Sequence, residues 1–101
     1  MNIHYMLKLM RKAVRNKTYD MIPTAKNRNS RRKYGLTMLD VEDIIMSLEE
    51  KDLVKGPVKD YDYPNEEVFI FKKKLENGAI FYIKLKYKNG IIKILSFHED
   101  E

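Results

Sequence analysis

Cysteine is absent from the 101 residues, and histidine occurs only twice. The first absence excludes a disulfide scaffold, a thiolate zinc site and a thiol nucleophile. The second leaves no histidine-rich metal site. With four glycines in all, there is no Gly-rich loop to cradle nucleotide phosphates, which excludes an NTPase. No apolar run approaches the roughly 20 residues of a membrane span. The opening MNIHYMLKLMRKAVRNK lacks the apolar stretch and small-residue cleavage site of a secretory leader. The expectation is one cytoplasmic domain over residues 1–101 that folds without metal or cofactor and buries about two-thirds of its unfolded surface.

Hydrophobic residues make up 44%, enough for a core, and the net charge is +5. A small basic domain suggests a nucleic-acid partner. The arrangement of the charge says more than its sum. Residues 1–34 carry ten Lys/Arg against one acid, residues 35–67 three Lys against ten acids, and residues 68–101 seven Lys against four acids. A fold that brings the two basic parts together has a polarised surface.

Ile3, Met6, Leu7, Met10, Ala13 and Val14 recur at helical spacing, which predicts a helix over 3–16. Tyr19–Ile22 reads as a short strand stopped by Pro23. Thr24 reads as the cap of a polar helix from Ala25 to Tyr34 that ends at Gly35. Asp40, with Asp43 three residues on, reads as the cap of a further helix whose apolar stripe is Val41, Ile44, Ile45 and Leu48. Gly56-Pro57 closes this half, and residues 58–66 read as an exposed loop. From Val68 the period changes to two: a strand over Val68–Lys73, an Asn77-Gly78 turn, a strand over Ala79–Tyr87, an Asn89-Gly90 turn and a strand over Ile91–His98. The expected fold is α+β, with N-terminal helices packed on a C-terminal antiparallel sheet.

The connection at Asn89-Gly90 decides which residues share a face. A two-residue turn sets Lys88 opposite Ile91 and Tyr82 opposite Phe97. A three-residue loop sets Tyr87 opposite Ile91 and pairs Phe81, Ile83 and Leu85 with Phe97, Leu95 and Lys93. The second makes the better apolar face, and a one-residue slip inverts the strand, so the second is the expected register. It places Tyr82, Lys84 and Lys86 on the outer face with Ser96 and His98.

A phenol, two ammonium groups, a hydroxyl and an imidazole on one rigid face suit RNA cleavage without metal. Histidine changes charge nearest neutral pH and can protonate a leaving 5′-oxygen, a role open to His98. Lys84 or Lys86 can stabilise phosphoryl charge, and Tyr82 can orient a phosphate or stack on a base. A two-faced sheet also needs a polar outer side, and Lys and Tyr are ordinary there. Lys26, Arg28, Arg31, Arg32 and Lys33 form a second basic patch, suited either to phosphates or to plain solvation of a helix. Phe69, Phe71, Phe81 and Phe97 read as core, His4 as a surface helix residue, and Asp60–Tyr63 as solvated loop.

The segments GLTMLDVEDIIMSLEEKDLVKG (Gly35–Gly56), FYIKLKY (Phe81–Tyr87) and ILSFHED (Ile94–Asp100), in this order and spacing, resemble the MqsR family of type II toxin–antitoxin toxins, which have a RelE/YoeB-like fold. The resemblance implies an mRNA endonuclease, with or without the ribosome, neutralised by a partner antitoxin. It implies active-site roles for Lys55, Tyr82 and Lys84. Where the family closes on Ser-Phe-Lys, this chain has His98, and imidazole is the better acid at neutral pH. The family's strand glutamine has no match; Glu67 or Val68 lies nearest. The leading expectation is a metal-independent endoribonuclease with catalytic Lys55, Tyr82, Lys84 and His98, and with Arg28, Arg31, Arg32 and Lys86 binding RNA. The alternatives are an RNA-binding module without catalysis and a protein-interaction domain working through its acidic stretch, residues 40–67.

Overall fold

Segments of helical period and segments of strand period separate into the two halves of an α+β structure. The computed structural model describes residues 1–101: α1 (Ile3–Arg15), β1 (Tyr19–Met21), α2 (Ala25–Tyr34), α3 (Met38–Met46), a single 3-10 turn at Glu50–Asp52, β2 (Leu53–Lys59), β3 (Glu67–Lys74), β4 (Ile80–Lys88) and β5 (Ile91–Glu99). The strands form one sheet in the order β1-β5-β4-β3-β2. All neighbours are antiparallel except β1, which runs parallel to β5. No helix is long and apolar enough to cross a membrane.

One face of the sheet is closed. Met6, Leu7, Met10, Ala13 and Val14 of α1, with Val41, Ile45 and Leu48 in and after α3, pack on Phe69, Phe71, Phe81, Ile83, Leu85, Ile92, Ile94 and Phe97. Phe81 and Phe97 meet edge-on with centroids 5.1 Å apart. The four phenylalanines are therefore core, as expected. Alternation along β4 then turns Tyr82, Lys84 and Lys86 to the face the core does not use.

Three local expectations need correction. The cap of α3 is Thr37, not Asp40: Thr37 Oγ1 accepts from the Asp40 N–H at 3.2 Å, and the Asp40 carboxylate accepts from the Thr37 N–H at 2.8 Å. Two overlapping boxes are written in the sequence, and the earlier one lengthens the helix by most of a turn of backbone bonds. Second, Gly56-Pro57 does not end the half but lies inside the edge strand β2. Pro57, which has no N–H, is tolerated on an edge. Gly56 sits at φ +139°, and a Cβ there would stand 2.9 Å from the Phe69 Cα and the Val68 carbonyl oxygen, so only glycine lets β2 approach β3.

The third correction is the β4–β5 register. Lys88 is opposite Ile91, so the turn is the two-residue Asn89-Gly90 connection rather than the three-residue loop. Leu85 pairs with Ile94 and Lys84 with Ser96, so Leu95 is an extra residue, a bulge. The bulge flips the alternation beyond it and sets Tyr82 opposite His98 and Ile83 opposite Phe97. The expected company of Tyr82, Lys84, Ser96 and His98 on one face thus holds, but the bulge produces it, not the turn.

β1 stops at Met21, where Pro23 follows, and α2 takes over as neighbour of β5. Asn27, fully buried, accepts from the Phe97 N–H at 2.8 Å and donates to the carbonyls of Ile22 (2.8 Å) and Leu95 (3.3 Å). Ser30 Oγ accepts from the Glu99 N–H at 2.9 Å. Side chains of a helix here do the work of a strand's backbone. Asn27→Ala is expected to leave the Phe97 N–H buried without a partner, at a cost of about 1–3 kcal/mol. Denaturant unfolding measures it; an unchanged midpoint would show that the helix does not secure this edge.

Candidate functional site

Cross-strand rows on the open face follow directly from the register. One row is Lys72, Tyr82 and His98. The next is Lys55, Ile70, Lys84 and Ser96. A third is Lys86, Lys93 and Asp20. Neighbours in a row are about 5 Å apart, and Lys84 and His98, diagonal across β4 and β5, about 7–8 Å. The bulges in β2 on either side of Lys55 aim that residue into the second row.

Ion pairing separates the lysines of this face into two kinds. Lys72 is bound to Asp100 at 3.0 Å and Lys93 to Asp20 at 3.0 Å. Lys86 is bound to Asp60 at 2.9 Å and Glu66 at 2.6 Å. Lys55 and Lys84 have no carboxylate partner. Their charge is free for a phosphate. Both belong to the four residues expected to be catalytic, and they share one row.

The other two of the four lie side by side. The Tyr82 and His98 rings stack with centroids 5.4 Å apart and planes 20° apart. His98 Nδ1 lies 3.0 Å from the Glu99 carbonyl oxygen, which can only accept, so Nδ1 carries a proton and donates. That leaves Nε2 as the nitrogen able to exchange a proton with a ligand. Lys26, Asn29, Ser30 and Lys33 of α2 line a polar cleft of about 210 Å³ with His98, Glu99 and Glu101. Glu99 accepts from Lys33 at 2.8 Å and from the Tyr34 hydroxyl. Hydrogen bonding by Lys33 and Tyr34 holds its carboxyl below the ordinary range.

The residues expected to bind RNA divide. Arg32 is exposed, and no carboxylate pairs with it. Arg28 is exposed and donates to the Pro23 carbonyl, and half-buried Arg31 leans on the Met21 sulfur. All three stay on α2, beside the β5 edge. Lys86 is a correction: only 7% exposed and held by two carboxylates, it is not offered to RNA. Burial alone would lower its ammonium, but hydrogen bonds to Glu66 and Asp60 outweigh that and raise it. Asp60, expected to be solvated, is buried together with Lys86. Alternation put Lys84 and Lys86 on one face correctly, but only the folded loop shows which of them is covered.

Sequence reasoning missed Asn27 altogether. An Asn in a helix of Lys and Arg carries no signal, because the two β5 groups that it bonds lie about 70 residues away. The residue between Lys55 and Lys84 in the row is Ile70, whose side chain has no hydrogen-bonding group.

A family model described as "Motility quorum-sensing regulator, toxin of MqsA" matches residues 2–99. No curated protein matches the chain.

Proposed function

The chain belongs to the MqsR toxin family, so it is the toxin of a toxin–antitoxin pair with a cognate antitoxin as partner; we propose that it is a metal-independent mRNA endoribonuclease, acting in the cytoplasm on the open face of its sheet. The observation that carries this reading is the row of two unpaired ammonium groups, Lys55 and Lys84, beside the stacked Tyr82–His98 pair.

The chemistry uses the RNA's own nucleophile. The 2′-hydroxyl gives up its proton to solvent water as its oxygen attacks the adjacent phosphorus, the bond to the 5′-oxygen breaks, and the products are a 2′,3′-cyclic phosphate and a 5′-hydroxyl. His98, protonated on both nitrogens, gives the Nε2 proton to the departing 5′-oxygen. Lys84 and Lys55 stabilise the charge that builds on the non-bridging oxygens. Tyr82 holds the imidazole by stacking and presents its hydroxyl to the phosphate. Arg28, Arg31 and Arg32, with Lys26, extend the positive track along α2.

Purified toxin free of antitoxin is expected to cut mixed-sequence RNA in EDTA, with cyclic-phosphate ends detected by mass spectrometry. If free RNA stays intact, ribosomes programmed with mRNA are the second substrate. Intact RNA in both, with salt-sensitive binding retained, would replace this reading by a module that binds without cutting.

A further inference from the structure

Residues 60–66, between β2 and β3, form a closed loop whose two ends are tied together. The Asp60 N–H donates to the Glu66 carbonyl at 2.8 Å, and the Glu66 N–H donates to the Tyr63 carbonyl at 2.8 Å. The Asp62 N–H donates to the Asp60 carboxylate at 2.9 Å. Lys86 clamps the Asp60 and Glu66 carboxylates from the sheet, and Lys88 reaches Glu66 at 2.6 Å. The Tyr63 ring covers both ammonium groups, at 4.8 and 5.8 Å from its centroid. These contacts fix Asp60, Tyr63 and Glu66 and leave Tyr61 and Asp62 turned to solvent. Tyr61 is 94% exposed, the most exposed of the large apolar side chains, and Asp62 beside it is exposed and bound to no cation.

The tip stands at the edge of the site. Lys86, which holds the loop, is two residues along β4 from Lys84, about 7 Å away. Hydrogen bonding by Lys86 holds the Asp60 carboxyl below its ordinary range, so the loop is anchored one alternate strand position from Lys84. Its acids make it a poor ligand for phosphate. They suit a base. An exposed aromatic ring offers its face for stacking on an unpaired base. A neighbouring carboxylate only accepts hydrogen bonds, so it favours a base with an exocyclic amino group over uracil, which has none.

We infer that the 60–66 loop is a base-reading arm: Tyr61 stacks on a nucleotide flanking the scissile phosphate, and Asp62 accepts from that base's amino group. This rests on the proposed RNA substrate and adds a contact away from the reacting atoms. The test is fluorescence anisotropy with short 2′-O-methyl oligonucleotides, which the mechanism cannot cut, of mixed A/C sequence and of U alone. Tyr61→Ala is expected to weaken A/C binding by about 5- to 150-fold, the range of one lost stack. Tyr61→Phe should stay within about twofold, since the face of the ring is kept. Asp62→Asn should shrink the preference for A/C over U. Tyr61 touches no core residue, so folding is not at stake. If Tyr61→Ala binds like wild type while Lys84→Ala loses affinity, the arm is refuted and the RNA site stands. If wild type binds no oligonucleotide, the arm falls and so does action on free RNA, leaving ribosome-bound mRNA as the substrate of the proposed activity.

Discussion

His98→Ala is expected to slow RNA cleavage by about 100- to 10,000-fold, the usual worth of a positioned general acid. Lys84→Ala is expected to cost about 100- to 1,000-fold, as loss of one preorganised charge at a developing oxyanion does. The two should differ in binding. Lys84 carries an unpaired charge, so its loss also weakens RNA affinity and flattens its salt dependence. His98→Ala should bind nearly as well as wild type. Single-turnover cleavage and anisotropy on the same oligonucleotide separate these effects. If His98→Ala retained full rate, the proton would have to come from elsewhere, and the stacked pair would be a structural feature only. Lys72→Ala is the control on the same face: its charge is already bound by Asp100, so little should change.

Lys86→Met is expected to destabilise the fold by about 2–4 kcal/mol, between the small worth of an exposed ion pair and the larger cost of breaking a buried one. The melting temperature should fall by about 10–25 °C. The reason is that Asp60 and Glu66 lose the one cation that they share. The same cluster sets a pH dependence. Hydrogen bonding by Lys86 lowers the Asp60 and Glu66 carboxyls, so their contribution is complete above the ordinary carboxylate range and is lost as pH falls below about 4. The raised Lys86 ammonium contributes fully below the ordinary lysine range and loses its effect as pH rises past about 10. Thermal melts from neutral to acid pH should therefore fall more steeply for wild type than for Lys86→Met. Equal slopes would show that the clamp contributes nothing to stability.

These two expectations assign opposite roles to lysines two residues apart on one strand. Lys84 faces a row with no carboxylate, and Lys86 faces the two loop carboxylates that bind it, Asp60 and Glu66. The chemistry of the side chains is identical; what differs is the acid that the fold brings to each.

Much of this protein was legible without its structure. Period-two alternation in Ala79–Tyr87 assigned Phe81, Ile83 and Leu85 to one face, which the structure buries in the core, because a strand can present only every second residue to one side. The caps Thr24 and Gly35 bounded α2, since the hydroxyl and the left-handed conformation act within a few residues. The α+β class and the toxin family were also readable from the order of short segments. What tertiary structure decided was everything set by distant partners. At the Leu95 bulge, which brings Tyr82 opposite His98, the backbone of β5 is bonded by Asn27 of α2, some 70 residues earlier. β2 forms because β3 offers its edge, although Gly56 and Pro57 read locally as a stop. Lys84 is left free and Lys86 is buried because a loop 20 residues earlier carries its acids to one row and not the next. Local propensity acts over a turn of chain, whereas the charge a side chain feels comes from whatever the fold packs against it.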